Sequence, residues 1–156
     1  MRRRLLVLAL SALGASVGTA QAADTRPDIA ACLAAAQTME AMRQCKRIVF
    51  KPCVAEPDYR ESTYGLVMCN EREGKVWHAL LEARTAELKK RDPHRAAALQ
   101  AADAAWRAWL EPECNYHRSE AMGGSAETVI TTECKSDLTA ERVILLTWQA
   151  RGNALY

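Results

Sequence analysis

Residues 99–117, LQAADAAWRAWLEPECNYH, carry the clearest structural pattern in the chain. Apolar side chains recur there at intervals of three, four and seven residues, which places them on one face of a helix. We therefore predict a helix whose buried stripe is formed by Leu99, Ala102, Trp106, Trp109 and Leu110. Pro112 has no backbone N–H and its ring would clash with the carbonyl of Ala108, so the sequence predicts a kink or a stop there.

Helical periodicity continues towards the N terminus. It predicts a long helix from about Ser62 to Arg91 and two short ones at 28–36 and 39–50, with Thr38 as the N-cap between the short helices. Residues 51–57 contain two prolines and are predicted to be a loop. One face of the long helix is formed by Trp77, Leu80, Leu81, Arg84 and Leu88.

The sequence after residue 117 predicts a turn and a last helix. Gly123-Gly124-Ser125 is the turn, with Ser125 as the expected N-cap. Period-2 alternation is almost absent from the whole chain. We expect a small all-α, disulfide-bridged bundle of helical hairpins, in which the last helix buries Val129, Ile130, Cys134, Leu138, Leu145 and Trp148.

The N-terminal residues have the features of a secretory signal peptide. Arg2, Arg3 and Arg4 precede an apolar run that is too short to span a membrane, and Ala20-Gln21-Ala22 is a small-x-small cleavage motif. We expect residues 1–22 to be removed before Ala23, leaving residues 23–156 as one domain in the periplasm. The protein is therefore not expected to be an integral membrane protein.

The charge of the exported form argues against nucleic acid as a partner. The full chain has 21 basic and 19 acidic residues, and loss of the three leader arginines leaves 18 against 19. A formal charge of −1 with no basic stripe is not typical of a protein that binds nucleic acid.

Six cysteines lie beyond the leader, and an even number in a small exported chain predicts disulfides. An antiparallel hairpin around the Gly123 turn would bring Cys114 to Cys134. Cys32 and Cys45 flank the turn at Thr38, which leaves Cys53 with Cys69, although other pairings of these four stay open. There is no Cys-x-x-Cys motif and no complete tetrahedral ligand set, so neither a metal nor another cofactor is predicted.

Motifs of catalysis are absent from the sequence. No nucleophile elbow, phosphate-binding glycine loop or His-Glu-x-x-His motif occurs. His78, His94 and His117 are scattered over predicted helices, without an orienting carboxylate motif. We therefore predict a protein that is not an enzyme.

Several of these features together resemble the lysozyme inhibitor LprI-like N-terminal domain family, in its cysteine-rich form. They are the segment 105–116, the Gly123-Gly124-Ser125 turn, Cys134 and the run LTAER at 138–142, in the same order and spacing. Leu110 stands where the family pattern has an arginine, and Glu111 replaces an aspartate. If relatives bury that arginine in an ion pair, Arg142 lacks the same context here.

The resemblance implies an inhibitor that binds lysozyme. Such a protein would occupy the cleft in which two carboxylates cleave the glycosidic bond. Gly123, Gly124 and Ser125 form the candidate binding turn. The alternative is a non-catalytic structural or interaction module that binds another protein of the cell envelope.

Overall fold

The structure is a computed structural model and describes residues 26–121 and 123–153. Within these residues there are no strands, which confirms the all-α prediction. Three long helices are preceded by three short ones: α1 (Arg26–Ala35), α2 (Met39–Arg43), α3 (Phe50–Val54), α4 (Thr63–Arg91), α5 (Ala96–Arg118) and α6 (Ala126–Ala150). The expected signal peptide and its cleavage site lie outside the described residues. None of the described helices has the length and apolar character that crossing a membrane requires.

The three long helices run up, down and up. The Cα of Gly74 on α4 lies beside Ser136 on α6, and Arg91 at the end of α4 donates to the carbonyl of Ala150 at the end of α6, so these two helices are parallel. The bridge between Cys114 and Cys134 holds α5 antiparallel to α6. One end of the bundle therefore combines the start of α4, the end of α5 and the start of α6.

The core lies where α1 and the α2 region pack onto α4 and α6. Trp77 and Leu81 of α4 are fully buried, as the predicted face requires. Their neighbours in the same apolar cluster include Ile29, Leu33, Met42, Val143 and Ile144.

Side-chain caps set three of the helix starts. The hydroxyl of Thr38 accepts a hydrogen bond from the N–H of Ala41 (3.0 Å), which confirms the predicted cap of α2. Ser62 caps α4 in the same way by accepting from Gly65 (2.9 Å). Asp92 accepts from the N–H of Arg95 (3.2 Å) and begins the 3-10 turn that leads into α5.

The helix predicted at 39–50 is wrong in its second half. The helix ends at Arg43 and a new one begins at Phe50, because Arg47 between them adopts a positive φ of 70°. The prediction of a loop at 51–57 is also wrong for residues 51–54, which belong to α3. Pro52 is tolerated because the first turn of a helix does not need its N–H.

Pro112 does not stop α5, which continues to Arg118. The predicted stripe is also wrong at two positions, because Ala102 and Trp109 are exposed, Trp109 by 44%. Of the residues in α5, Cys114 alone is fully buried. The helix lies at the edge of the bundle and has solvent on one side, so a wide apolar stripe need not be covered.

The buried face of α6 differs from the prediction. The six residues expected to face inward are only half-buried. The fully buried ones are mostly small or hydroxyl-bearing, which suits a close approach to α4: Ser136, Thr139, Ala140, Val143, Ile144, Leu146 and Thr147. The helix is continuous through this region. Ser125 precedes it with helical backbone angles and no capping hydrogen bond, so its predicted role as N-cap is also wrong.

Candidate functional site

Three disulfides hold the helices in place. They join Cys32 to Cys45, Cys53 to Cys69 and Cys114 to Cys134, which are the pairs that the spacing around the predicted turns favours. The first joins α1 to the segment that follows α2, and the second joins α3 to α4. The third joins α5 to α6 below the turn between them, so the turn is presented on a rigid base.

A buried carboxylate organises the N-terminal segment. Glu73 of α4 is 1% exposed and accepts hydrogen bonds from the backbone N–H groups of Arg47 (2.8 Å), Val49 (3.1 Å) and Phe50 (2.8 Å). The indole of Trp77 donates a fourth over 3.2 Å. The two carboxylate oxygens of Glu73 therefore accept hydrogen bonds from N–H groups at and before the start of α3 that would otherwise be buried without partners.

Arg47 connects this segment to two long helices. Its guanidinium donates to the side-chain oxygen of the buried Asn70 on α4 (2.8 Å), forms an ion pair with Glu133 on α6 and stacks over the ring of Phe50. Arg47, Asn70 and Glu73 thus form a structural network that joins the segment between α2 and α3 to α4 and α6.

The hairpin tip, which we define as residues 116–121 and 123–127, is largely exposed. Tyr116 is 67% exposed and follows Trp109 by seven residues, so both rings lie along one side of α5. Gly123 has a φ of 88°, a conformation that favours glycine, and its N–H donates to the carboxylate of Glu127 (2.8 Å).

The predicted turn residues Gly123, Gly124 and Ser125 are all exposed at this tip. The N–H of Gly124 donates to the carbonyl of Ala121 (3.1 Å), so both glycine N–H groups are used within the turn. The hydroxyl of Ser125 makes no capping hydrogen bond, and the residue is exposed, so a binding partner can reach it.

The two ends of the bundle differ in charge. Seven acidic side chains lie at the end that carries the tip: Glu56, Asp58, Glu61, Glu111, Glu113, Glu120 and Glu127. The arginine and lysine side chains near them are fewer: Arg60, Arg72, Arg118 and Lys135. Three of these acids are partnered, Glu56 with Arg72, Glu111 with Lys135 and Glu113 with His117. The opposite end carries Lys89, Lys90, Arg91, His94, Arg95 and Arg151.

The histidines do not form a common site. His78 lies on the surface, 3.7 Å from Glu82 and 3.3 Å from Arg107, and His117 pairs with Glu113 one turn away. No group of three metal-ligating side chains converges within the described part of the chain.

Sequence reasoning missed the network of Arg47, Asn70 and Glu73. Asn70 and Glu73 precede Trp77 by seven and four residues, which places them on the same buried face of α4. Polar residues four and seven positions before a tryptophan that is predicted to be buried are the pattern that would have indicated this network.

The fold and this site define a small, disulfide-bridged helical module of the kind that functions outside the cytoplasm. Residues 53–146, more than half of the chain, match the model of the lysozyme inhibitor LprI family, so the chain belongs to that family. The match includes α4, α5 and most of α6, together with the Cys114–Cys134 bridge. This is a family of inhibitors rather than of catalysts.

The chain is 30% identical to an uncharacterized protein of Rhizobium meliloti (strain 1021) over 123 residues, which are 71% of this chain and 81% of that relative. No solved structure matches.

Proposed function

We propose that this protein is a periplasmic inhibitor of lysozyme and that the hairpin tip is the surface that binds the enzyme. The observation that carries the proposal is membership of the lysozyme inhibitor LprI family over residues 53–146. Export rests on the N-terminal leader pattern and agrees with the presence of three disulfides.

Exposure and rigidity support the choice of the tip. Tyr116 at the tip and Trp109, two turns before it on the same side of α5, are large exposed side chains. Aromatic residues of this kind often supply most of the energy of a protein interface. The Cys114–Cys134 bridge fixes their position relative to the turn. A pre-ordered surface loses less conformational entropy on binding.

Charge supports the same surface. The acidic side chains at this end attract an enzyme with a basic surface and increase the rate of encounter. In the complex, the exposed turn enters the substrate cleft and the Ser125 hydroxyl hydrogen-bonds there. Peptidoglycan is thereby excluded from the two catalytic carboxylates.

A lysis assay tests the proposal. Purified residues 23–156 are added to a basic animal-type lysozyme acting on a suspension of peptidoglycan, and turbidity is followed. We expect the rate of clearing to fall as the inhibitor concentration rises. Full activity of a panel of lysozymes at a large molar excess of this protein would contradict the proposal and favour an interaction module of the cell envelope.

A further inference from the structure

A second candidate site lies at the opposite end of the bundle from the hairpin tip. A cavity of about 400 Å³ opens there between the end of α4, the start of α5 and the end of α6. Its apolar surface includes Leu88, Leu99 and Leu145, and its cationic groups are Arg91, Arg95 and Arg142. The volume lies in the usual range of small-molecule sites.

Arg142 is the least satisfied cation of this cavity. Its side chain is half-buried on α6, and its Nε is buried without a hydrogen-bond partner in the described structure. Burial lowers the pKa of the Arg142 guanidinium, and the negative charge of Asp103 opposes that effect. A guanidinium that is partly removed from water and has no direct anionic partner is costly, and an anion in the cavity would relieve that cost.

Asp103 does not supply the missing partner. Its Oδ2 accepts a hydrogen bond from Nε of Arg107 (2.9 Å), and its buried Oδ1 has no donor among the described residues. Arg107 is also paired with Glu82 on α4. Asp103 is thus held in a cluster on the α4–α5 side and makes no hydrogen bond with Arg142.

The other charges of the cavity leave it positive. Arg91 donates to the carbonyl of Ala150 (2.9 Å), and Arg95 is 82% exposed and lies 4.0 Å from Asp92. Asp92 is the acidic residue among those that line the cavity, against three arginines. An anionic head group is therefore favoured over a neutral or cationic one.

We propose that this cavity binds a single-chain amphiphile with a carboxylate head group, such as a medium-chain fatty acid. The planar guanidinium of Arg142 pairs with a carboxylate through two parallel hydrogen bonds, and Arg95 supplies a second positive charge at the mouth. The hydrocarbon chain lies over the three leucines. This site is separate from the proposed lysozyme-binding tip and does not depend on it.

Calorimetric titration of residues 23–156 with decanoate, dodecanoate and dodecanol, all below their aggregation concentrations, tests the ligand class. Dodecanoate is expected to bind about tenfold more tightly than decanoate, because two more methylenes are buried. Dodecanol, which has the same chain without the charge, is expected to bind at least about tenfold more weakly than dodecanoate. Absence of dodecanoate binding, or equal binding of the acid and the alcohol, would overturn the proposal.

Two variants and a control locate the site. Arg142→Gln is expected to weaken dodecanoate binding by about tenfold or more, and Arg95→Gln by about threefold. Arg118→Gln removes the same group at the other end of the molecule and should leave the Kd unchanged. Because Arg95 is 82% exposed, its variant keeps the fold even if Arg142→Gln does not. Equal dodecanoate affinity in Arg95→Gln and in the wild type would place the ligand elsewhere.

Discussion

Glu73 and Trp77 lie one turn apart on α4, both fully buried, and the indole N–H donates to the carboxylate over 3.2 Å. This contact orients the largest side chain of the core and fixes the carboxylate that receives the backbone N–H groups of residues 47, 49 and 50. One acidic side chain thus connects the apolar core to the irregular segment between α2 and α3.

Glu73→Gln is predicted to destabilise the protein by about 2–4 kcal/mol. The amide keeps one acceptor oxygen, and its NH₂ group would face backbone N–H groups that also donate. Urea denaturation gives the free energy of unfolding. Glu71→Gln, an exposed change on the same helix, is the control and should shift it by less than about 0.5 kcal/mol. Equal stability of the two variants would contradict the assigned role of Glu73.

Two glycines of α4 are predicted to respond to alanine with opposite signs. A Cβ at Gly65 would lie 1.9 Å from the carbonyl oxygen of Tyr59, so Gly65→Ala should cost about 2–3 kcal/mol. A Cβ at Gly74 would lie 3.6 Å from the Cβ of Ser136, an ordinary contact. Gly74→Ala should therefore stabilise the helix by about 0.5–1 kcal/mol. Thermal melting of both variants measures the difference, and a shift of the same sign in both would be inconsistent with this packing.

Removal of the Cys114–Cys134 bridge is predicted to cost about 3 kcal/mol when both residues are replaced by Ser. The bridge joins two residues that are 20 positions apart in the sequence, and Cys114 is fully buried. Urea denaturation measures the loss. Peptide mapping of the wild type without reductant should yield one fragment pair that joins these two positions. A fragment that links Cys114 to any of the four N-terminal cysteines would show that the hairpin register is wrong.

Tyr116→Ala is predicted to reduce lysozyme inhibition by at least about tenfold while leaving the melting temperature unchanged, because the ring is 67% exposed. Tyr64→Ala is a matched control, since Tyr64 is 63% exposed at the start of α4 and at the same end of the bundle. Inhibition constants from the lysis assay compare them. If Tyr64→Ala alone lost inhibition, the binding surface would lie on α4 rather than on α5.

Local sequence chemistry predicted the start of α2, because the side chain of Thr38 caps that helix and this interaction requires no tertiary context. The same reasoning was wrong at Ser125, which makes no capping hydrogen bond. The buried face of α4 also followed from the spacing of Trp77 and Leu81, because α4 has neighbours along most of its length.

Features that depend on other elements could not be predicted from local patterns. The break at Arg47 exists because Glu73, which lies 26 positions later, accepts the N–H of that residue. Trp109 belongs to an apolar stripe and is still exposed, because no described element covers that side of α5. The same holds for the candidate site: the position of the turn was predictable, whereas the fold alone brings Glu56, Asp58 and Glu61 of the α3–α4 loop to the end of the bundle that carries it.

Every disulfide joins cysteines that are consecutive in the chain, with separations of 13, 16 and 20 residues. If the chain is exported with its N terminus first, as we propose, each pair is complete before the next pair appears. An oxidase that joins thiols in their order of emergence would therefore produce the native set directly. Folding of this protein should then need no disulfide isomerase, and its yield should be the same in cells that lack one.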